Sequence, residues 1–168
     1  MNASEDFVTT RVFNAPRELV FDVWTQEQHL SKWFAPKGFD ILGGKMDLKV
    51  GGTYHYGLRT PDGMEMWGKW TFKEIKRPEK LVVITSFSDR QGGITVHPGN
   101  PNWPRETLAT TTFEPQGPRT LLTLRWAPYN ATDLERRTFA ENKASMEQGW
   151  GGTMELLERY LDSLEGDA

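Results

Sequence analysis

The chain has 168 residues, no cysteine and a formal charge of −3, with 20 Lys and Arg against 23 Asp and Glu. That size suits one domain over residues 1–168, large enough for a sizeable hydrophobic core. The composition excludes disulfides, thiolate catalysis and cysteine metal sites, and the lack of any basic run argues against nucleic-acid or anionic-membrane partners. No apolar run approaches the roughly 18–20 residues of a membrane span. Met1 to Asp6 is polar and acidic, without a signal-peptide pattern. A reducing, cytoplasmic location is the expectation that fits. The 7 Trp, 9 Phe and 6 Met stand out. Such side chains carry large apolar area and adapt to irregular shapes, so they either fill a core or line a pocket.

In chain order, Phe7 to Asn14 alternates Phe7, Thr9, Arg11 and Phe13 against Val8, Thr10 and Val12, which predicts a strand. Asn14-Ala15-Pro16 then starts a helix, with Asn14 or Ala15 near the N-cap and Pro16 in the first turn, where its missing N–H costs nothing. Leu19, Val20, Val23 and Trp24 form its inward face. Thr25-Gln26-Glu27 restarts a second helical piece carrying Leu30, Trp33 and Phe34, and Pro36-Lys37-Gly38 ends it.

Strands follow. Phe39 to Val50 is broken at Gly43-Gly44, which predicts a turn or bulge. Thr53 to Arg59 places Tyr54, Tyr56 and Leu58 on one face. Thr60-Pro61-Asp62-Gly63 is a hairpin turn. Met64 to Ile75 and Leu81 to Phe87 are strands joined by Arg77-Pro78-Glu79-Lys80. Ser88 to Arg105 is rich in Gly and Pro and reads as an extended loop, long for a compact domain. Glu106 to Phe113 and Thr120 to Trp126 are the last strands, linked by the turn formers of Glu114 to Pro118.

Thr132 to Leu164 reads as one long amphipathic helix. Thr132-Asp133-Leu134-Glu135 is a capping box. Phe139, Met146, Trp150, Met154, Leu157, Leu161 and Leu164 recur in steps of three, four or seven and share one face. Gly149, Gly151 and Gly152 interrupt it at about 0.8–1 kcal/mol each relative to Ala. They mark either close packing of a neighbouring element or a bend over a cavity. Hairpin-length links imply antiparallel pairing. The whole reads as α+β: a curved antiparallel sheet wrapped around a long C-terminal helix, with two short helices after the first strand.

Several stretches occur together in order. They are Phe13-Asn14-Ala15-Pro16-Arg17-Glu18-Leu19-Val20-Phe21, Leu30-Ser31-Lys32-Trp33-Phe34, Gly51-Gly52-Thr53-Tyr54, Pro61-Asp62-Gly63, and Gln148-Gly149-Trp150 with Leu157 and Leu161. They resemble the bacterial homologues of the heat-shock-protein ATPase activator, in the START-like helix-grip (SRPBCC) superfamily that also holds the birch pollen allergen. The resemblance runs from Phe7 to about Leu161. It implies a helix-grip fold and a choice among ligand carriers, aromatase/cyclases, chaperone regulators and resistance proteins, because one fold hosts many activities. Ser88 to Arg105 looks longer than is usual in that family.

Chemistry-bearing patterns are few. His29, His55 and His97 show no HxH or HExxH spacing, so no metal is expected. Gly149 to Gly152 lacks the Lys-Ser/Thr of a P-loop, no Ser sits in a nucleophile elbow, and no cofactor is expected. The candidate ligand-binding set is Trp33, Phe34, Tyr56, Met66, Trp70, Phe87, Met146, Trp150 and Met154, with Tyr54, Tyr56, Glu65 and Glu106 as polar candidates. Three readings follow. The first is binding of a small apolar or aromatic molecule between sheet and helix. The second is a cyclase or hydrolase of polyketide-like compounds, ranked lower because no acid–base pair is evident. The third is an interaction module regulating a chaperone. A homodimer is left open.

Overall fold

Alternating apolar residues build the sheet, and 3.6-residue periodicity builds the helices that fill it. The computed structural model describes residues 6–34, 38–97 and 100–166. Its elements are β1 (Phe7–Phe13), α1 (Arg17–Thr25), α2 (Glu27–Trp33), β2 (Asp40–Met46), β3 (Thr53–Arg59), β4 (Glu65–Lys76) and β5 (Lys80–Ser88). They continue with β6 (Ile94–Thr95), β7 (Glu106–Gln116), β8 (Arg119–Pro128), α3 (Asp133–Glu141) and α4 (Lys143–Gly166). All strands pair antiparallel in one eight-stranded sheet ordered β1-β8-β7-β5-β4-β3-β2, with β6 on β5. The sheet curls into a half-barrel around α4. Bulges between Ile41 and Gly43 and between Phe72 and Glu74 bend it. The expected α+β helix-grip fold is therefore the observed one.

Register fixes which side chains face inward. Directly opposed residues share a face, and alternation repeats it every second residue. One inward row is Tyr54, Trp70, Thr85, Thr107 and Pro128. The next is Phe72, Val83, Ala109, Trp126 and Phe7. On β7, Thr107, Ala109, Thr111 and Phe113 are all buried while the residues between them are not. The outward rows carry residues such as Val8 and Val12, exposed on β1.

The helices seal the concave side. Val20, Phe21, Val23, Trp24 and Leu30 are buried, and Phe21 meets Phe113 edge-on at 5.1 Å. Trp33 donates its indole N–H to the Val23 carbonyl at 2.9 Å, locking α2 against α1. Thr120 donates to the Ala15 carbonyl at 2.7 Å and ties β8 to the turn before α1. From α4, Leu157 and Leu161 are almost fully buried; each contributes about 1.5–3 kcal/mol by leaving water. The exposed Arg11–Glu158 pair at 3.0 Å contributes little beside that.

Four expectations change. The helix from Thr132 to Leu164 is two helices. Its capping box forms as read, but α3 ends at Asn142, whose backbone leaves the helical region (φ −113, ψ 20). The Asn142 amide N–H bonds Phe139, and its side chain donates to the Thr138 carbonyl at 2.7 Å. That local competition with the helical ladder is typical of Asn. Ser88 to Arg105 is not all loop: β6 and a His97–Asn100 bridge lie within it. The strand read over Phe39 to Val50 is shorter, as β2, with the expected irregularity at Gly43. Pro16 is the N-cap of α1, without a side-chain cap. Pro36 and Lys37 lie outside the described residues; Gly38 has a φ of 88°, accessible to glycine at little cost.

Candidate functional site

The interior divides into two clusters of buried apolar residues. The larger holds Phe13, Trp24, Trp33, Trp70, Leu124 and Leu157, among others. The smaller holds Phe7, Phe139 and Met146. Trp126 and Trp150 pack against both. A cavity of about 560 Å³ lies where the two meet. That volume falls within the range of small-molecule sites.

Its walls come from every layer of the fold. Trp24 of α1 stacks on Trp150 of α4, with centroids 6.1 Å apart and planes 8° from parallel. Phe34, just after α2, meets Trp70 and Tyr56 edge-on at 5.1 and 5.4 Å. From the sheet come Val83, Phe87, Ala109 and Leu124. The segment between β6 and β7 supplies His97, Asn100, Trp103, Pro104 and Arg105. Trp103 is anchored by Trp126 and Phe139 at 6.0 and 5.4 Å.

Of the nine residues expected to bind a ligand, Phe34, Tyr56, Met66, Trp70, Phe87, Met146 and Trp150 come together on this cavity. Trp33 and Met154 do not line it; both are buried in the larger cluster. Trp33 is turned away by its bond to Val23. Met154 lies one helical turn beyond Trp150, on the same face but deeper in the packed core.

The polar candidates separate by strand parity. Glu106 opposes Ser86 and neighbours the inward Thr107, so it faces outward. Glu65 is also outward; it accepts from Trp67 at 3.3 Å and pairs with Arg90 and Arg59. Those partners hold its carboxyl below the usual range. Tyr54 is buried, and burial, then Tyr56, then Glu27 push its phenol well up. Tyr56 alone of the four lines the main cavity. Burial raises its phenol to about 12, a hydrogen bond from the Trp70 side chain opposing the shift, so it stays protonated. Gly68 opposes Tyr56 in the sheet, and any Cβ there would collide with the Tyr56 hydroxyl.

Sequence reasoning missed His97, Trp103 and Arg105. Burial lowers the His97 imidazole, so it is neutral near neutral pH. His55, by contrast, stacks on Trp67 at 5.1 Å on the outer face. Among the described residues no cluster of His, Asp and Glu could hold a metal. No helix among them is long and apolar enough to cross a membrane.

The helix glycines need correction. A Cβ at Gly149, Gly151 or Gly152 would meet nothing within 4 Å. No close packing requires them, and α4 runs on through them. Gly149 lines the cavity. Its missing side chain leaves room there.

A family model described as Activator of Hsp90 ATPase homolog 1-like protein matches residues 14–162. The chain belongs to this family. The AHSA1-like assignment agrees with solved structures of similar fold. A Nitrosomonas europaea protein superposes with a TM-score of 0.78 at 22% identity, covering 99% of each chain. An Arthrobacter aurescens protein gives 0.76 at 24% identity, over 95% of this chain and 87% of that one. The AHSA1 protein of Silicibacter pomeroyi gives 0.68 at 18%, over 95% and 99%. At such identities these likenesses establish the fold alone. No curated protein sequence matches the chain.

Proposed function

We propose that this AHSA1-like protein binds a small hydrophobic or aromatic molecule in the cavity between sheet and α4. The carrying observation is the cavity itself: about 560 Å³ between two apolar clusters, walled largely by Trp, Phe, Met and Leu. A core built only to be stable fills such space, because a void forfeits dispersion contacts. The aromatic walls would instead regain those contacts from a bound molecule. The exposed lining is mostly apolar, and its polar side chains would orient that molecule rather than hold it.

Native mass spectrometry of freshly purified protein, set against its denatured mass, tests the reading. Retained extra mass, or saturable binding of the neutral fluorophore N-phenyl-1-naphthylamine that Gly149→Leu weakens, is the expected result. A bare native mass together with no fluorophore binding would overturn it. Catalysis of the cyclase or hydrolase kind stands second. It draws on one observation, the neutral His97 imidazole facing the same cavity as the Tyr56 phenol. The family description's link to a chaperone ATPase would need saturable binding of a chaperone to this chain.

A further inference from the structure

Resting on that pocket reading, we propose that the ligand is an amphipathic anion, an apolar body in the cavity with one acidic head group at Arg105. The lining supplies the first argument. Among the described residues it includes no Asp or Glu, although the chain has 23 of them, and Arg105 is its only Lys or Arg. A net-negative protein thus presents a positively biased pocket.

Position supplies the second. Arg105 lies in the bend just before β7, beside the buried Pro104, and both line the cavity. It is exposed, as are Ser145 and Gly149, so these residues mark a wet rim. Arg11, Arg59, Arg77, Arg90 and Arg125 each hold a carboxylate. Arg105, like Arg17, Arg119, Arg137 and Arg159, has no such partner among the described residues, and of these five only Arg105 lines the cavity. A guanidinium is weakly hydrated and matches a carboxylate, sulfonate or phosphate through paired N–H donors.

The interior supplies the third. Several of its hydroxyls are already engaged, while the Thr111 hydroxyl is a neutral group that an apolar body can face without loss of charge hydration. Thr85 and Thr107 bond each other, Thr153 donates to the Gly149 carbonyl at 3.1 Å, and Tyr56 accepts from Trp70. An apolar body suits that interior, whereas an ionised group placed inside would lose its hydration unpaired. A head group at the rim avoids that loss. At about 30 Å³ per water-sized group in the liquid, the cavity accommodates roughly twenty non-hydrogen atoms.

Two fluorophores of about that size isolate the head group: 8-anilinonaphthalene-1-sulfonate and N-phenyl-1-naphthylamine, the same skeleton without the sulfonate. The full chain should bind the sulfonate roughly tenfold more tightly, as one charge-assisted contact at a rim allows. That preference should shrink in high salt. Arg105→Gln should abolish the preference and leave the neutral probe within about twofold. Arg105→Lys should keep some of the preference, a point charge without the planar fork. Thermal midpoints establish that both variants fold. Equal affinities in the unmodified chain, or a preference surviving Arg105→Gln, would overturn the proposal while leaving the pocket reading intact. Binding of neither probe, together with a bare native mass, would overturn both.

Discussion

Replacing Gly151 and Gly152 of α4 with alanine should stabilise the protein. A new Cβ at either position meets nothing within 4 Å, so no steric cost offsets the gain in helix propensity. Each substitution should contribute about 0.8–1 kcal/mol. For a chain of this length, 1 kcal/mol moves the midpoint about 2–4 °C, so the double variant should melt roughly 3–8 °C higher. Calorimetry or circular dichroism at 222 nm reads this directly. Gly149→Ala completes the comparison, because Gly149 lines the cavity. It should raise the midpoint similarly but weaken N-phenyl-1-naphthylamine binding, while the double variant leaves that binding unchanged. An unchanged or lower midpoint for the double variant would refute the reasoning. It would mean that α4 needs glycine at those positions for a conformation other than the helix described.

Gly68→Ala should destabilise by about 1–3 kcal/mol, because the new Cβ meets the Tyr56 hydroxyl; urea unfolding gives the loss, and neutral-probe binding should fall with it. Trp33→Phe removes the bond to the Val23 carbonyl and leaves that acceptor buried, at a cost of about 1–3 kcal/mol in the same assay. His97 sets a pH dependence. Burial holds its imidazole below 6.5, so as pH falls through 6.5 the unfolded chain takes up the proton first. Its stability contribution is full above 6.5 and is lost progressively until pH drops below the folded value. The fall in thermal midpoint between about pH 7 and pH 5 should therefore be smaller in His97→Gln.

Most of the cavity wall is legible in the sequence because strand faces obey a period of two. Tyr54 and Tyr56 share a face by counting alone, and the hairpin at Pro61-Asp62-Gly63 sets the register that brings Trp70 opposite Tyr54. What periodicity does not register is local competition. Asn142 lies inside a sustained apolar repeat, yet its side chain takes the Thr138 carbonyl and ends the helix. Glu106 and Arg105 are neighbours, yet only Arg105 lines the cavity. Arg105 sits in a bend before β7, where the period of two no longer assigns a face. Trp33 lies on the expected face of its helix; the indole bond that turns it into the core depends on the angle between α1 and α2. As for the three helix glycines, nothing in a linear sequence distinguishes a glycine that admits a neighbour from one that leaves a gap.

The division of the interior has a consequence for exchange with solvent. Phe7, Phe139 and Met146 form a small unit joined to the main core through Trp126 and Trp150. Few buried apolar contacts hold such a unit, so it belongs at the low end of local opening free energies. α3 should therefore open more readily than Leu157, Leu161 and the central strands. A molecule seated at the junction touches both units and, by mass action, stabilises the weaker one most visibly. Amide exchange in α3 should then slow on occupancy while exchange in the central strands hardly changes. The cavity thus lies where a large and a small apolar cluster meet, and occupancy there should register most in the smaller one.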